Sequence, residues 1–368
     1  MGAFLKGADV STLAELESLG VKYRDRGQEK DLLEILSSHG FNSIRLRLWN
    51  DPRSESGEGY GGGGNDLATT VGLARRTLAR GMLLLLDFHY SDFWADPAKQ
   101  FLPKAWRGFT DDALEEALYD FTRRSLLALC AAGAPPSAVQ VGNEITNGLL
   151  WPNGKRPAFG TIARFVGAGI RAVRSVSRDI RVMVHLDNGG NNALYREWFD
   201  AYFREGGGDF DLMGLSYYPF WHGSLDDLGH NLNDMARRYG KDLVVVETST
   251  GFTTEDYPER EGLPPDRRRG MATKPELWGK LKHPMTPEGQ CHFLRDLAAC
   301  IRRVEGGRGK GFFWWEPAWL PVKGSGSATE AGRRYTEEKG PGGNEWANQA
   351  LFDYDGDALP ALEVIWDL

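Results

Sequence analysis

The chain predicts an α/β fold: one (β/α)8 barrel with elaborated loops at the C-terminal ends of its strands. Three observations carry this. Eight short apolar runs are spaced along the 368 residues. Amphipathic segments of helical period separate them. Polar and acidic residues gather where the runs end, which in such a barrel is the functional face. A doubly wound sheet is the alternative, but no Gly-x-Gly-x-x-Gly follows the first run. With no repeat of 20–50 residues, residues 1–368 are expected to form a single domain.

The runs, rich in Val, Ile, Leu and Phe, fit parallel strands covered on both faces. They fall near Phe4–Val10, Ser43–Trp49, Leu83–Phe88, Val139–Val141, Arg181–Leu186, Leu212–Tyr217, Leu243–Glu247 and Gly311–Trp315. The first helical pattern opens at Asp31-Leu-Leu-Glu-Ile-Leu. The second covers Asp66–Arg80, with Leu67, Val71, Ala74 and Leu78 on one side. The third, Asp111–Ala131, starts at Thr110-Asp-Asp and is stopped by Gly133 and Pro135-Pro136. Further helices are expected at Thr161–Val176, Leu194–Arg204, Leu225–Tyr239 and Pro287–Val304, and a short one closes the chain from Pro360. The run Gly-Tyr-Gly-Gly-Gly-Gly at 59–64 lacks a following Lys-Ser/Thr, so it reads as a mobile linker rather than a phosphate loop. Insertions at about 251–286 and 316–350 follow strands seven and eight and would lie on the functional face.

Composition narrows the function classes. Lys and Arg total 44 against 51 Asp and Glu, a net charge of −7 with no basic stripe, which argues against a nucleic-acid partner. The run Arg267–Arg269 sits in a polar, Pro-rich loop and reads as solvated. No stretch reaches the ~20 apolar residues of a membrane span. Cys130, Cys291 and Cys300 have neither an even count nor metal-type spacing. The first residues enter a strand without a charged-then-apolar leader. An extracellular protein whose export signal has been removed is the expectation, and a cytoplasmic one the alternative. Of the 12 Trp, 12 Tyr and 18 Phe, half or more of the Trp can be plain packing residues, but many of these aromatics fall in loops just after strands.

The chemistry lies at the strand ends. Glu144 follows Val139-Gln-Val-Gly-Asn, and Glu247 ends Leu243-Val-Val-Val. A carboxylate so placed in a buried strand is costly unless it is used. Strand alternation puts Arg45, Arg47 and Trp49 on one face, and Asp87 with His89 on one face of the next strand. Counted back from Glu247, Val245 is expected inward, with Val244 and Val246 against the helices. Two inward arginines need carboxylate partners. His185 and Asp187 repeat the third strand's pattern, and Ser216-Tyr217-Tyr218 and Trp314-Trp315-Glu316 end the sixth and eighth. A lone inward His or Asp is usually structural. Polar ends on seven strands are not explained by packing.

The chain resembles glycoside hydrolase family 53, the arabinogalactan endo-β-1,4-galactanases of a clan of (β/α)8 retaining enzymes. The matching segments run in order along nearly the whole length: Gly7-Ala-Asp-Val-Ser11, Ile44-Arg-Leu-Arg-Leu-Trp-Asn50 with Pro52, Asp87-Phe-His-Tyr-Ser-Asp-Phe-Trp-Ala-Asp-Pro97, Gly142-Asn-Glu-Ile-Thr-Asn-Gly-Leu-Leu-Trp-Pro152, His185-Leu-Asp187, Gly214-Leu-Ser-Tyr-Tyr-Pro-Phe220, Val244-Val-Val-Glu-Thr248, Trp314-Trp-Glu-Pro-Ala-Trp319 and Asn348-Gln-Ala-Leu-Phe-Asp353. The resemblance implies that Glu144 is the general acid/base and Glu247 the nucleophile. It implies further that Asn143 bonds a sugar 2-OH, that Arg45 stands beside the nucleophile, and that His89, Tyr217 and the platform Trp315 contact substrate.

These roles are physically coherent. Retention needs carboxyls about 5–5.5 Å apart. Arg45 would keep Glu247 ionised, while a like charge would hold the proton on Glu144. Trp94, Trp106, Trp151, Trp315 and Trp319 are candidates for stacking on sugar faces, with bracing of loops as the alternative for Trp106 and Trp151. Asp87, Asp92 and Asp187 are candidate acceptors from hydroxyls. The implied partner is β-1,4-galactan, the protein a monomer, and no cofactor is expected. Some bacterial relatives hold calcium through an Asp-x-Asp-x-His-x-Asn-like segment; Glu255-Asp-Tyr-Pro-Glu-Arg-Glu-Gly262 lacks that pattern, so no metal is expected there. The alternatives are another retaining β-glycanase of the clan, such as a mannanase or cellulase, and a non-catalytic glycan-binding barrel.

Overall fold

The computed structural model describes residues 3–255, 274–337 and 342–368. The segment proposed to lack a calcium site, from 256 onward, and Arg267–Arg269 lie outside the described residues. Eight strands close the barrel: β1 (Leu5–Asp9), β2 (Ser43–Leu48), β3 (Leu83–Phe88), β4 (Ala138–Val141), β5 (Arg181–Leu186), β6 (Leu212–Ser216), β7 (Asp242–Thr248) and β8 (Gly309–Trp315). Each pairs in parallel with its neighbours, and β1 pairs with both β2 and β8, which closes the sheet. The eight expected strands are these eight.

The helices between them are α1 (Leu32–Ser38), α2 (Leu67–Ala79), α3 (Asp111–Ala131), α4 (Phe159–Val176), α5 (Asn192–Arg204), α6 (Leu225–Tyr239), α7 (Pro287–Arg302) and α8 (Ala361–Asp367). Side chains cap most of their starts. Asp31 accepts from Glu34 N, Asp66 from Thr69 N, Thr110 from Ala113 N and Thr286 from Gly289 N. Ser224 and Asp227 form a reciprocal capping box on α6. Such caps satisfy N–H groups that a helix end leaves without partners.

Two apolar layers result. The strands' outer side chains and the helices' inner faces form one continuous core. Inside the barrel, Leu5, Leu85, Ala138, Met183, Leu212, Val244, Val246 and Phe313 plug its lower half. Gly7 makes room for this plug: a Cβ there would stand 2.2 Å from the Phe313 ring. Above the plug the interior turns polar.

Position 244 and 246 depart from the expected alternation. Both valines point inward, into the plug, and Val245 packs outward. The cause is a β-bulge: Leu215 pairs with Val245 but Ser216 with Glu247, and the β8 pairing slips at the same place. One extra residue on β7 lets Val246 and Glu247 both face inward.

The glycine run at 59–64 is a pinned loop rather than a loose linker. Gly62 N donates to Gly326 O, Gly63 N to Glu15 Oε2, and Thr329 N to Tyr60 O. Gly63 has φ +103, and a Cβ there would meet Ser11 O at 2.5 Å, so the approach requires glycine. The run thereby ties the loop after β8 over the mouth of the barrel. Two small antiparallel ribbons, Tyr23–Asp25 with Gln28–Lys30 and Gly148–Leu149 with Gly154–Lys155, carry no long apolar run and escape the strand pattern. Among the described residues, no helix is long and apolar enough to cross a membrane.

Candidate active site

Arg45 organises the polar half of the barrel. It is fully buried, and its guanidinium donates to Asp9 Oδ2, Asp87 Oδ2 and Asn143 Oδ1 and pairs with Glu247 Oε1, all at 2.8 Å. Arg47, two residues on, donates to Asp9 Oδ1 at 3.0 Å and Glu316 Oε1 at 2.6 Å. The expected carboxylate partners of both arginines are therefore present, and Asp9 is shared between them. Burial alone would discharge Arg45, but Asp87, Glu247 and Asp9 raise its pKa above the usual range. Asp87 shows the mirror effect. Burial pushes it up, Arg45 and His89 outweigh that, and it ends below the usual carboxylate range.

Glu247 sits on the bulge of β7 and is 5 % exposed. Besides Arg45, its Oε2 accepts from Tyr218 Oη at 3.1 Å. Burial raises its pKa to about 6 against the pull of Arg45. The arginine thus favours the ionised form, as expected, while burial leaves the group above the usual carboxylate range.

Glu144 is reached differently. β4 ends at Val141; Gly142 turns at φ +84, and Glu144 itself lies in the left-handed region at φ 45, ψ 51. A non-glycine residue there is strained and is held by its surroundings. Its N–H donates to His185 Nδ1 at 3.3 Å, and its Oε1 accepts from Ser216 Oγ at 2.6 Å. Burial, then the charges of Glu247 and Asp187, push its pKa well above the usual value, with the Ser216 bond opposing. Two carboxyls in one pocket are thereby separated in acidity, Glu144 keeping its proton to higher pH.

Both glutamates line one cavity of about 530 Å³ at the C-terminal mouth of the barrel, together with Asn143, His89, Trp94, Trp315 and Trp319. Seven residues singled out from sequence are thus brought together. His89 Nδ1 accepts from Ala95 N at 3.0 Å, which leaves the proton on Nε2, 3.1 Å from Asp87 Oδ2 but poorly aligned with it. Burial lowers the pKa of His89, so the ring is neutral. Asn143 Nδ2 donates to Ala95 O at 2.8 Å. Trp315 lies 6.0 Å from Trp94 and 5.8 Å from Trp319, ring centre to ring centre. Trp319 is almost wholly buried and donates to Asn344 Oδ1, so it braces Trp315 rather than offering a face.

Other expectations are corrected. Tyr217 points out of the barrel: its hydroxyl donates to Gly223 O at 3.0 Å and its ring stacks on Phe293 of α7. Tyr218 is the inward tyrosine, because Ser216 already faces in and alternation skips one residue. Arg45 and Asp87 lie beneath the cavity floor, and the Asp87 oxygens are engaged by Arg45 and Gln140, so neither is placed to accept or donate directly to a sugar. Asp187 stands behind Glu144, accepting from Thr146 and Asn188. Asp92 staples loops by accepting from Asp51 N and Lys104 N. Trp106 packs on Phe121 in the core, and Trp151 donates to Asn147 O under Lys155, so both brace loops.

Sequence reasoning missed Trp346, whose ring centre is 4.6 Å from that of Trp315 across the cavity wall. It sits in an aperiodic loop and gives no positional signal. Arg47 also lines the cavity, its Cζ 4.5 Å from the Trp94 ring centre. Glu316 was visible only as the residue after β8; it accepts from Arg47 and Thr12, and burial raises it to about 7.

A slot walled by indoles, with a proton-holding carboxyl and an ionised one on its floor, is equipped for acid-assisted displacement at a sugar carbon. Comparison with known proteins identifies the family. The family profile described as Glycosyl hydrolase family 53 matches residues 5–365. The chain is 37% identical over 380 residues to an endo-beta-1,4-galactanase of Bacillus subtilis (strain 168), covering 98% of this chain and 85% of that one. It is 36% identical to an arabinogalactan endo-beta-1,4-galactanase of Humicola insolens, with 98% of each covered. A solved structure, the Ignisphaera aggregans GH53 catalytic domain, superposes with a TM-score of 0.90 at 38% identity, covering 98% of this chain and 95% of that one.

Proposed function

The chain belongs to glycosyl hydrolase family 53, and from that premise we propose that it is a retaining endo-β-1,4-galactanase, working as one catalytic domain over residues 1–368. The observation that carries the mechanistic part is the pairing of two buried glutamates, one set on a cation and one without. Glu247, held by Arg45 and Tyr218, is the nucleophile; Glu144, held by Ser216, is the general acid/base.

In the first step Glu247 attacks the anomeric carbon while Glu144 passes its proton to the departing glycosidic oxygen. An ester between sugar and Glu247 results. Its formation removes the Glu247 charge, one of the causes that raise Glu144 beside burial and Asp187, so Glu144 gives up its proton more readily and can serve as base in the second step. It then takes a proton from water as the water oxygen attacks the same carbon, and Glu247 leaves as carboxylate. Two inversions give net retention. Trp94, Trp315 and Trp346 supply faces for successive galactoses, and Asn143 supplies a donor for a ring hydroxyl, while His89 forms part of the wall.

The similarity to galactanases along the full chain supports β-1,4-galactan as the substrate. A polymer of this kind is met outside the cell, which supports an extracellular location, and a cavity completed by one chain supports a monomer. The test is the time course of products from β-1,4-galactan beside mannan, xylan and cellulose. Mixed oligosaccharides appearing early from galactan alone are expected, and NMR of the first product should give the β-anomer. Early α-anomer, or turnover of mannan or cellulose in preference, overturns the reading.

A further inference from the structure

Glu144 is gripped at two points by one imidazole. His185, fully buried on β5, meets Glu144 N through Nδ1 at 3.3 Å and Ser216 Oγ through Nε2 at 2.9 Å. Ser216, fully buried at the end of β6, meets Glu144 Oε1 at 2.6 Å. The proton on that ring can be assigned from its neighbours. Gln140 Nε2 lies 2.8 Å from His185 Nδ1 and 2.7 Å from Asp87 Oδ1; a carboxylate oxygen only accepts, so the nitrogen end of the amide faces both. His185 Nδ1 faces two donors, the Gln140 amide and the Glu144 peptide N–H, and one acceptor, Asn143 Oδ1 at 3.0 Å. The two lone pairs of that oxygen are already taken by Arg45 and Gln140, so Nδ1 accepts and carries no hydrogen. The ring is neutral, since burial and Arg45 hold its pKa well below the usual value. Its single proton is on Nε2 and is donated to Ser216 Oγ. The serine hydroxyl, already accepting, turns its own proton to Glu144 Oε1.

We propose that His185 and Ser216 form a hydrogen-bond chain of fixed direction that clamps Glu144 by backbone and carboxyl together, making Ser216 a positioning residue for the acid/base step. The inference rests on the assignment of Glu144 as acid/base. Its chemical consequence is that Oε1 is held as the accepting oxygen, so the carboxyl proton resides on Oε2, the oxygen left to face a glycosidic oxygen. The serine bond also favours ionised Glu144 and so limits how far the acid is weakened. Other groups act on Glu144 from every side: Glu247 on β7, Asp187 after β5, Asp96 after β3, Tyr218 after β6 and Tyr195 on α5. Lys99 and Glu345 line the same cavity. None of these meets its carboxyl through the Ser216 oxygen.

The experiment compares wild type with Ser216→Ala, measuring kcat/KM against pH on β-1,4-galactan and on a dinitrophenyl β-galactobioside, whose leaving group departs without a proton. A hydrogen bond to a charged group corresponds to about one pH unit or more. The expected result is an alkaline limb moved up by about one unit. On galactan the loss should be about tenfold or more at pH 7, with little loss on the aryl substrate. A limb that stays in place, or an equal loss on both substrates, overturns the proposal. Should Ser216→Ala not fold, Ser216→Cys keeps the size with a weaker donor: a smaller upward displacement supports the chain, and none overturns it. Glu144→Gln separates the two readings. If that variant keeps the wild-type alkaline limb, the acid/base assignment fails. If it loses the limb while Ser216→Ala leaves it unmoved, only the hydrogen-bond chain fails.

Discussion

Replacing Arg45 by Met tests the electrostatic frame of the site most directly. The guanidinium makes four contacts at 2.8 Å, three of them to carboxylates, with no exposure to solvent. Removing one partner of a buried ion pair costs about 3–5 kcal/mol, because the charges left behind are neither solvated nor paired. At about 2.1 cal/mol/K of unfolding entropy per residue, a chain of this size loses about 4–6 °C of Tm for that amount. The catalytic effect has a definite sign. Arg45 is the group that pulls Glu247 back toward ionisation, and Glu247 sits at about 6 in its presence. Without it the carboxyl rises by roughly 1–3 units, so the acid limb of kcat/KM moves to higher pH and the bell narrows. Stability follows the same linkage. A carboxyl whose folded pKa is raised above its unfolded value stabilises the fold below the unfolded value, and that contribution is lost as pH rises through the folded one. Arg45→Met should therefore be less damaging to Tm at pH 5 than at pH 8. The assay is calorimetry at both pH values with a pH–rate profile on galactan. A Tm loss under about 1 °C, or an acid limb still near pH 6, refutes the reasoning.

Tyr218→Phe removes a hydrogen bond to charged Glu247 and should lower kcat on galactan by roughly 10–100-fold. Tyr217→Phe removes only the bond to Gly223 O; kcat should stay near wild type with Tm down by about 1–2 °C. Trp346→Ala takes away one wall of the indole slot, and KM for galactan should rise roughly 5–10-fold with kcat less affected; an unchanged KM would remove Trp346 from the substrate site. Gly7→Ala places a methyl into the Phe313 ring and should cost about 1–3 kcal/mol by overpacking, read as a lower denaturant midpoint at unchanged slope. Equal stability would mean that the plug is looser than its contacts imply.

Much of this molecule was legible before its structure. The eight strands are short, apolar and far enough apart to be counted, because a strand buried on both faces leaves no polar interruption. Helix starts were legible where a side chain does the capping, as at Thr110, which accepts from Ala113 N. The limits of the reading are local and physical. Alternation assumes two residues per repeat, and the bulge on β7 breaks that assumption at Val246, so the inward side was assigned to the wrong valines. The resemblance pointed to Tyr217, with two adjacent tyrosines ending the sixth strand; parity counted from the inward Ser216 selects Tyr218 instead. Trp346 lies where chain direction is set by contacts with distant loops, and no period exists there to be read.

The distinction between the two glutamates was legible in the sequence, Arg45 included; the burial that raises both and the bulge that delivers Glu247 to the arginine were not. Both are acids in a buried, like-charged pair, and burial raises both. What separates them is that one meets a guanidinium and the other only a hydroxyl. The cation is available to Glu247 because Arg45 reaches across the barrel from β2, and because the bulge turns Glu247 inward beside Val246 instead of outward with Val245. On an unbulged β7 the inward position would pass to Val246 alone, and Arg45 would face Asp9 and Asp87 without the third carboxylate. The extra residue in β7 therefore does more than bend a strand. It brings Glu247 within reach of the cation that keeps it the stronger acid of the pair, and so, in the proposed mechanism, sets which carboxyl attacks and which holds a proton.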